Sequence, residues 1–200
     1  MTSVTTVVQS LGVAFAAGIN LPATVAVLGL SERAGLIGPL PGLLGAVGNT
    51  WIIAIAVGLY AIEFLITLVP GVASVWETAQ SVVRPPAAAL LAVATAYHLN
   101  PVFLVAAGLL GGGLALTTHG TKLGLRYAVD SSPEPVTNGL ANLAELGTVA
   151  SIGVFIWSHP YLTLTVAILV LILLILVVRR IVITLRKLLK GQWGRGIPAE

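Results

Sequence analysis

The sequence predicts an all-α polytopic membrane protein with about six transmembrane helices. Three observations carry that expectation. No Asp, Glu, Lys or Arg occurs in residues 2–31, 34–62, 85–121 or 146–178. A helix needs about 20 apolar residues to cross the hydrocarbon core, so these runs supply several spans. Hydrophobic residues make up 57% and charged residues 8% of the chain, and its mean hydropathy is +1.02; a soluble domain carries about 25% charge. Finally, nine of the ten Lys and Arg fall on one side when the spans are counted off, as cytoplasmic loops require.

The first span is expected over residues 7–30. It has no basic region before it and contains Gly18 and Pro22, so it reads as a retained span and not a cleaved signal. The second covers residues 44–68 and stops at Pro70-Gly71. The third opens at Pro85-Pro86, where a proline sacrifices no hydrogen bond, and ends near His98. It is short, and the alternative is a re-entrant segment with five crossings. The fourth covers residues 101–126. The fifth begins at Ser131-Ser132-Pro133-Glu134, a capping box, and runs to about residue 157. The sixth runs from residue 161 past 178.

Six spans put both termini on one side. Arg84, Lys122, Arg126, Arg179, Arg180, Arg186, Lys187, Lys190 and Arg195 then share that side, against Arg33 alone. The expected location is the cell (inner) membrane with both termini cytoplasmic. Beyond residue 178 the pattern continues helically. Arg179, Arg180, Arg186, Lys187 and Lys190 fall on one face, with Ile181, Val182, Leu185, Leu188 and Leu189 on the other. That is a basic amphipathic tail suited to anionic lipid, ended by Gly191 with Trp193 at the interface. It serves as an anchor or as a partner-binding tail.

The order of features repeats. Each half has an interrupted span, then a span with one glutamate a few residues after Gly-Leu, then a closing span. Gly58-Leu59 precedes Glu63, and Gly139-Leu140 precedes Glu145. The interruptions are Phe15 to Thr24, which contains Asn20 and Pro22, and Gly111 to Lys122. Three spans per half are an odd number, so the halves, residues 1–98 and 99–178, are expected to sit inverted, with residues 179–200 as the tail. Broken helices in inverted halves mark transporter-type sites. Asn20 is expected to cap a new half-helix with Pro22 in its first turn, and Thr118 or His119 to do the same in the second half. Such ends attract an anion or a carboxylate of the protein. The alternative is a packing kink lined by small residues.

Ionisable groups at membrane depth usually face the bundle interior. Asn138, Asn142 and Glu145 share one helical face, as do Tyr60, Glu63 and Thr67, and Thr118, Lys122 and Arg126. These three stripes are expected to face one another, with Lys122 or Arg126 as the counter-ion. The candidate substrate- or ion-binding residues are Asn20, Thr24, Glu63, Thr118, His119, Lys122, Asn142 and Glu145. The bland reading of the glutamates is a structural role at the freed amides of a broken helix. His98 and His159 each sit beside or near a proline in an expected outer loop and read as solvated. No His and carboxylate cluster has metal-ligand spacing, there is no cysteine, and no cofactor is expected.

Several segments together resemble DUF4126, a family of small bacterial membrane proteins of unknown function. They are Phe15-Ala-Ala-Gly-Ile-Asn20, Glu63-Phe64, Pro70-Gly71-Val72, Ser74-Val75-Trp76, Arg84-Pro85-Pro86, Thr118-His119-Gly120-Thr121-Lys122 and Ser132-Pro133-Glu134-Pro135. The resemblance covers roughly residues 10–160. It implies membrane placement and names no substrate.

The expected function is a secondary transporter, or a lipid- or ion-translocating protein, with its site between the broken helices. The alternative is a channel-like or scaffolding membrane protein. An intramembrane enzyme using His119 and Glu145 lacks a nucleophile beside a base, so no enzyme is expected. The expected partners are membrane lipids and further copies of the chain, because six short spans leave little room for a wide pathway. Nucleic acid is not expected, since the net charge is only +3.

Overall fold

Alanine and glycine, not leucine, form the centre of this protein. Lipid tails are as apolar as leucine, so helices in a bilayer gain little by hiding leucine from one another. Small residues help instead, because they let backbones approach. A computed structural model describes residues 2–69, 71–130 and 135–189. Among these, every regular element is helical: α1 (Ser3–Ile19), α2 (Leu21–Arg33), a short 3-10 helix (Gly42–Gly48), α3 (Thr50–Thr67), α4 (Val72–Ala96), α5 (Pro101–Asp130), α6 (Pro135–Ser158) and α7 (Pro160–Leu189).

Helix α1 is the hub. Every residue from Gly12 to Gly18 is buried, the mark of a helix enclosed on all sides. Gly12 abuts Ile156 of α6, and a Cβ on Gly18 would lie 2.8 Å from the Ala115 carbonyl of α5. Ala14 and Ala17 meet three alanines of α4 spaced four apart (Ala88, Ala92, Ala96) and two of α5 (Ala107, Ala115) in one buried cluster. Many large apolar residues point outward instead: Leu90, Leu109, Leu169 and Leu173 are all exposed. Helices α3, α5, α6 and α7 are long and apolar enough to cross a membrane. The arrangement is that of a helical membrane protein.

Three expectations need correction. The first concerns α4, which does not open at Pro85-Pro86. It starts at Val72 and carries both prolines in its interior. The face of α4 that carries Arg84, Ala88 and Ala92 stays buried through the prolines, while Val82 and Pro86 lie on the exposed face. The second concerns α5, which is continuous from Pro101 to Asp130, so the expected break between Gly111 and Lys122 does not exist. Its hydroxyls bond back to their own helix, Thr117 to Gly113, Thr118 to Leu114 and Thr121 to Thr117. The third concerns topology: Arg84, Lys122 and Arg126 are buried and not part of a surface charge excess. Without them the basic asymmetry of the sequence falls to six against one.

The break in the first segment is present. Helix α1 ends at Ile19 and α2 begins at Leu21. His98 and His159 are exposed. The capping box at Ser131 to Glu134, Pro70, and the end of the tail with Gly191 and Trp193 lie outside the described residues.

Candidate functional site: a buried charge cluster at the helix break

The break is built by three residues. Pro22 has no amide hydrogen to give the carbonyl four residues back. Asn20 adopts an extended backbone (φ −152°, ψ 107°), and its side-chain oxygen accepts from the Ala23 amide at 2.9 Å. In an unbroken helix that amide would bond to the Ile19 carbonyl. Freed from it, the Ile19 carbonyl accepts from Arg84 Nη1 at 3.0 Å and from Lys122 Nζ at 2.8 Å. Two cations therefore close the negative end of α1, where they suit its dipole. The hydroxyl of Thr24 donates to the Asn20 carbonyl at 2.8 Å and holds the first turn of α2.

From this point a chain of ion pairs spreads through four helices. Asn20 Nδ2 donates to Glu63 Oε1 at 2.7 Å. Arg84 binds the same oxygen of Glu63 at 2.5 Å and Glu77 Oε2 at 2.6 Å. Lys122 lies 2.7 Å from Glu77, 2.8 Å from Glu145 and 3.7 Å from Glu63. Arg126 pairs with Glu145 at 2.9 Å and donates to the side-chain oxygen of Asn142 at 2.7 Å. Asn142 in turn donates to Thr67 Oγ1 at 2.9 Å. The stripes on α3, α5 and α6 thus face one another across the break.

The formal charges balance, with Glu63, Glu77 and Glu145 against Arg84, Lys122 and Arg126. Arg84 and Glu77 have fully buried side chains, whereas the Glu145 side chain is 17% exposed. Arg84 donates towards His119 Nδ1 at 3.3 Å. Arginine has no acceptor, so a hydrogen bond at this contact needs a lone pair on Nδ1 and the ring proton on Nε2. That nitrogen donates to Ser81 Oγ at 2.9 Å or the Glu77 carbonyl at 3.2 Å. Asn20, Tyr60, Glu63, Phe64, Thr67, Asn142 and Glu145 surround a narrow gap that admits no water-sized molecule. The Tyr60 hydroxyl and Glu63 Oε2 make no hydrogen bond to a protein group. No metal-holding cluster of His, Asp and Glu exists among the described residues.

Seven of the eight residues singled out in the sequence sit in this cluster or hold the break. Thr118 is the exception; it is buried beside Gly18 but bonds only within α5. Glu77 and Arg84 were missed, because Pro85-Pro86 was read as a helix start and both seemed to lie in a loop. The signal was there: Glu77, Ser81, Arg84, Ala88, Ala92 and Ala96 form one continuous helical stripe through the prolines.

A fold and site of this kind define a helical membrane protein with a charged, water-excluding core. The chain belongs to the DUF4126 family, described as a domain of unknown function, whose model matches residues 7–180. No curated protein and no solved structure matches it.

Proposed function

We propose that this protein is a small secondary transporter of ions, with the buried cluster as its coupling site in a closed form. One observation carries the reading: the Lys122 ammonium sits among carboxylates from three helices, Glu63 of α3, Glu77 of α4 and Glu145 of α6. A clasp needs one carboxylate for one ammonium. Buried ion pairs are also a poor way to stabilise a fold, since apolar packing does as well or better. Three partners let the ammonium change hands when a proton or cation takes one of them.

Glu145 is the most exposed of the three, so a proton or cation reaches it first. Its neutralisation leaves Lys122 and Arg126 with surplus positive charge and loosens α5 from α6. The unpaired Glu63 oxygen and the Tyr60 hydroxyl are the next groups along the gap. The break at Asn20 lets α1 and α2 move separately as Arg84 and Lys122 shift on the Ile19 carbonyl. The reading keeps two inverted halves, because Glu63 and Glu145 hold corresponding places in the sequence and converge on one lysine, but with five crossings, α3 to α7. Helix α2 folds back along α1, Leu28 against Val13 and Ala23 against Ala16, so the two do not cross as one span. The reading also keeps an inner-membrane location with the basic tail on the cytoplasmic side, an assembly of several copies, and no enzymatic step. It puts the start of α1 on the other side, since Thr5 lies 3.0 Å from Tyr161 in the first turn of α7.

A second reading is a channel-like or scaffolding protein with the cluster as a clasp. It is favoured by the gap, which has no room for water. Currents from protein-containing vesicles on a solid support separate the two after jumps of pH, sodium or chloride. The transport reading expects a current above that of protein-free vesicles, abolished in Glu145→Gln and Glu63→Gln variants that still fold. No current from the native protein in any of the three jumps, with the variants losing only thermal stability, leaves the clasp.

A further inference from the structure

The charges of α7 lie apart from the cluster and have no such partners. Arg179 and Arg180 fall within the stretch Pro160–Thr184 that is apolar enough to cross a membrane, and both are exposed. Neither they nor Arg186 pairs with a described carboxylate. An arginine facing hydrocarbon must reach water or find an anion.

Beside them runs a groove between α5 and α7 with a volume of about 570 Å³. Its α7 wall carries Ile175, Val182 and Ile183 together with Arg179 and Arg186. The basic and apolar faces of the tail therefore meet at this edge instead of lying opposite each other. The two arginines are seven residues apart, about 10 Å along the helix. On the α5 wall Gly120 leaves space, since a Cβ there would meet nothing within 4 Å. The helices close up nearby, where a Cβ on Gly124 would lie 2.9 Å from Val178. Helix α6 runs antiparallel to both neighbours, because Lys122 and Arg126 of α5 reach Glu145 and Asn138, and α7 returns directly after His159. So α5 and α7 point the same way. The groove begins apolar at Leu116 and Ile175 and becomes basic towards Arg186.

We infer that this groove is a binding site for an anionic phospholipid. An acyl chain lies along Leu116, Gly120 and Ile175, and the phosphate bridges Arg179 and Arg186. Arginine forks suit phosphate oxygens, and basic pockets between membrane helices bind anionic headgroups. The shape and the polarity of the groove match a molecule with one charged and one apolar end.

The test is thermal unfolding of the full chain in neutral detergent with added phosphatidylglycerol, phosphatidylcholine or inorganic phosphate, together with native mass spectrometry. Phosphatidylglycerol is expected to raise the unfolding temperature and remain bound in the spectrometer, while the other two do neither. The Arg179→Gln/Arg186→Gln variant is expected to lose that preference. Gly120→Leu fills the groove without touching charge and is expected to lose bound lipid as well, so the site does not depend on one variant folding. Equal stabilisation by phosphatidylcholine or by phosphate overturns the inference. So does a preference that survives both variants, which would belong to the remaining tail lysines, or a lipid-free dimer that the arginine variant dissociates.

Discussion

Two stretches of this chain carry helix-breaking residues at membrane depth, and only one of them breaks. Gly111 to Lys122 contains three consecutive glycines, a fourth at Gly120, three threonines and a histidine, yet α5 passes through it unbroken. Asn20-Leu21-Pro22 is shorter and ends α1. The difference lies in what becomes of the backbone. Glycine weakens a helix by about 1 kcal/mol but keeps its amide hydrogen. Breaking a helix in hydrocarbon exposes groups that cost several kcal/mol each if unpaired. At Asn20 the groups on either side of the break have partners: the Ala23 amide has the asparagine oxygen, and the Ile19 carbonyl has Arg84 and Lys122. Pro85-Pro86 makes the same point, since α4 continues through both prolines. A break needs a cap and a set of partners, and a breaker residue alone does not suffice.

The strongest way to disturb this contrast is to remove the residue that serves both the break and the cluster. Arg84 holds Glu63, Glu77 and the Ile19 carbonyl. Arg84→Leu leaves buried carboxylates uncompensated and is expected to cost about 3–5 kcal/mol. Fluorescence-detected size exclusion and thermal unfolding in detergent would read it as lost folded protein. Arg84→Lys keeps the charge but loses the forked geometry, and it should recover only part of the stability. Native-like stability in Arg84→Leu would mean that the break does not depend on the arginine.

Next in size is the cap itself. Asn20→Ala removes a capping oxygen, worth about 1 kcal/mol, and a donor to a carboxylate, worth about 1.5–3 kcal/mol. The expected loss is about 2–4 kcal/mol in the same assay. Pro22→Ala restores an amide but leaves the cap in place, so a change within about 1 kcal/mol is expected. A larger effect from Pro22→Ala than from Asn20→Ala would show that proline, and not the cap, makes the break.

The break and the stripes of α3, α5 and α6 were legible because each rests on local chemistry. Asn20 two residues before Pro22 is a cap signal that needs no tertiary context, and Asn138, Asn142 and Glu145 declare their shared face by spacing alone. Glu77 and Arg84 were not legible in the same way. Their place depended on whether α4 would run on through Pro85 and Pro86, which is a matter of packing and not of local chemistry. The same limit applies to α5: nothing within Gly111 to Lys122 reveals that its threonines bond to their own helix. Reading Arg84, Lys122 and Arg126 as surface charge failed for a related reason, since basic residues at a span's end and basic residues paired inside look alike until their carboxylates are placed.

The finest test lies inside the glycine run. If α5 is a continuous packed helix, its glycines differ by what they face. A Cβ on Gly111 would lie 2.7 Å from the Ala92 methyl and 3.2 Å from the Ala14 methyl, where α1, α4 and α5 meet. Gly111→Ala must push helices apart and is expected to cost about 1–3 kcal/mol. Gly113, two residues on, is exposed, and a Cβ there meets nothing within 4 Å. Gly113→Ala should stabilise by about 0.5–1 kcal/mol, through helix propensity alone. A hinge in this run would reverse the second sign, because an alanine would then stiffen a joint that needs to bend. Unfolding temperatures of the two variants beside the native protein give both signs at once. A destabilised Gly113→Ala that also slows any ion-driven current would reopen α5 as a moving part, whereas opposite signs for the two glycines hold it as a rigid wall against which α1 and α2 are broken.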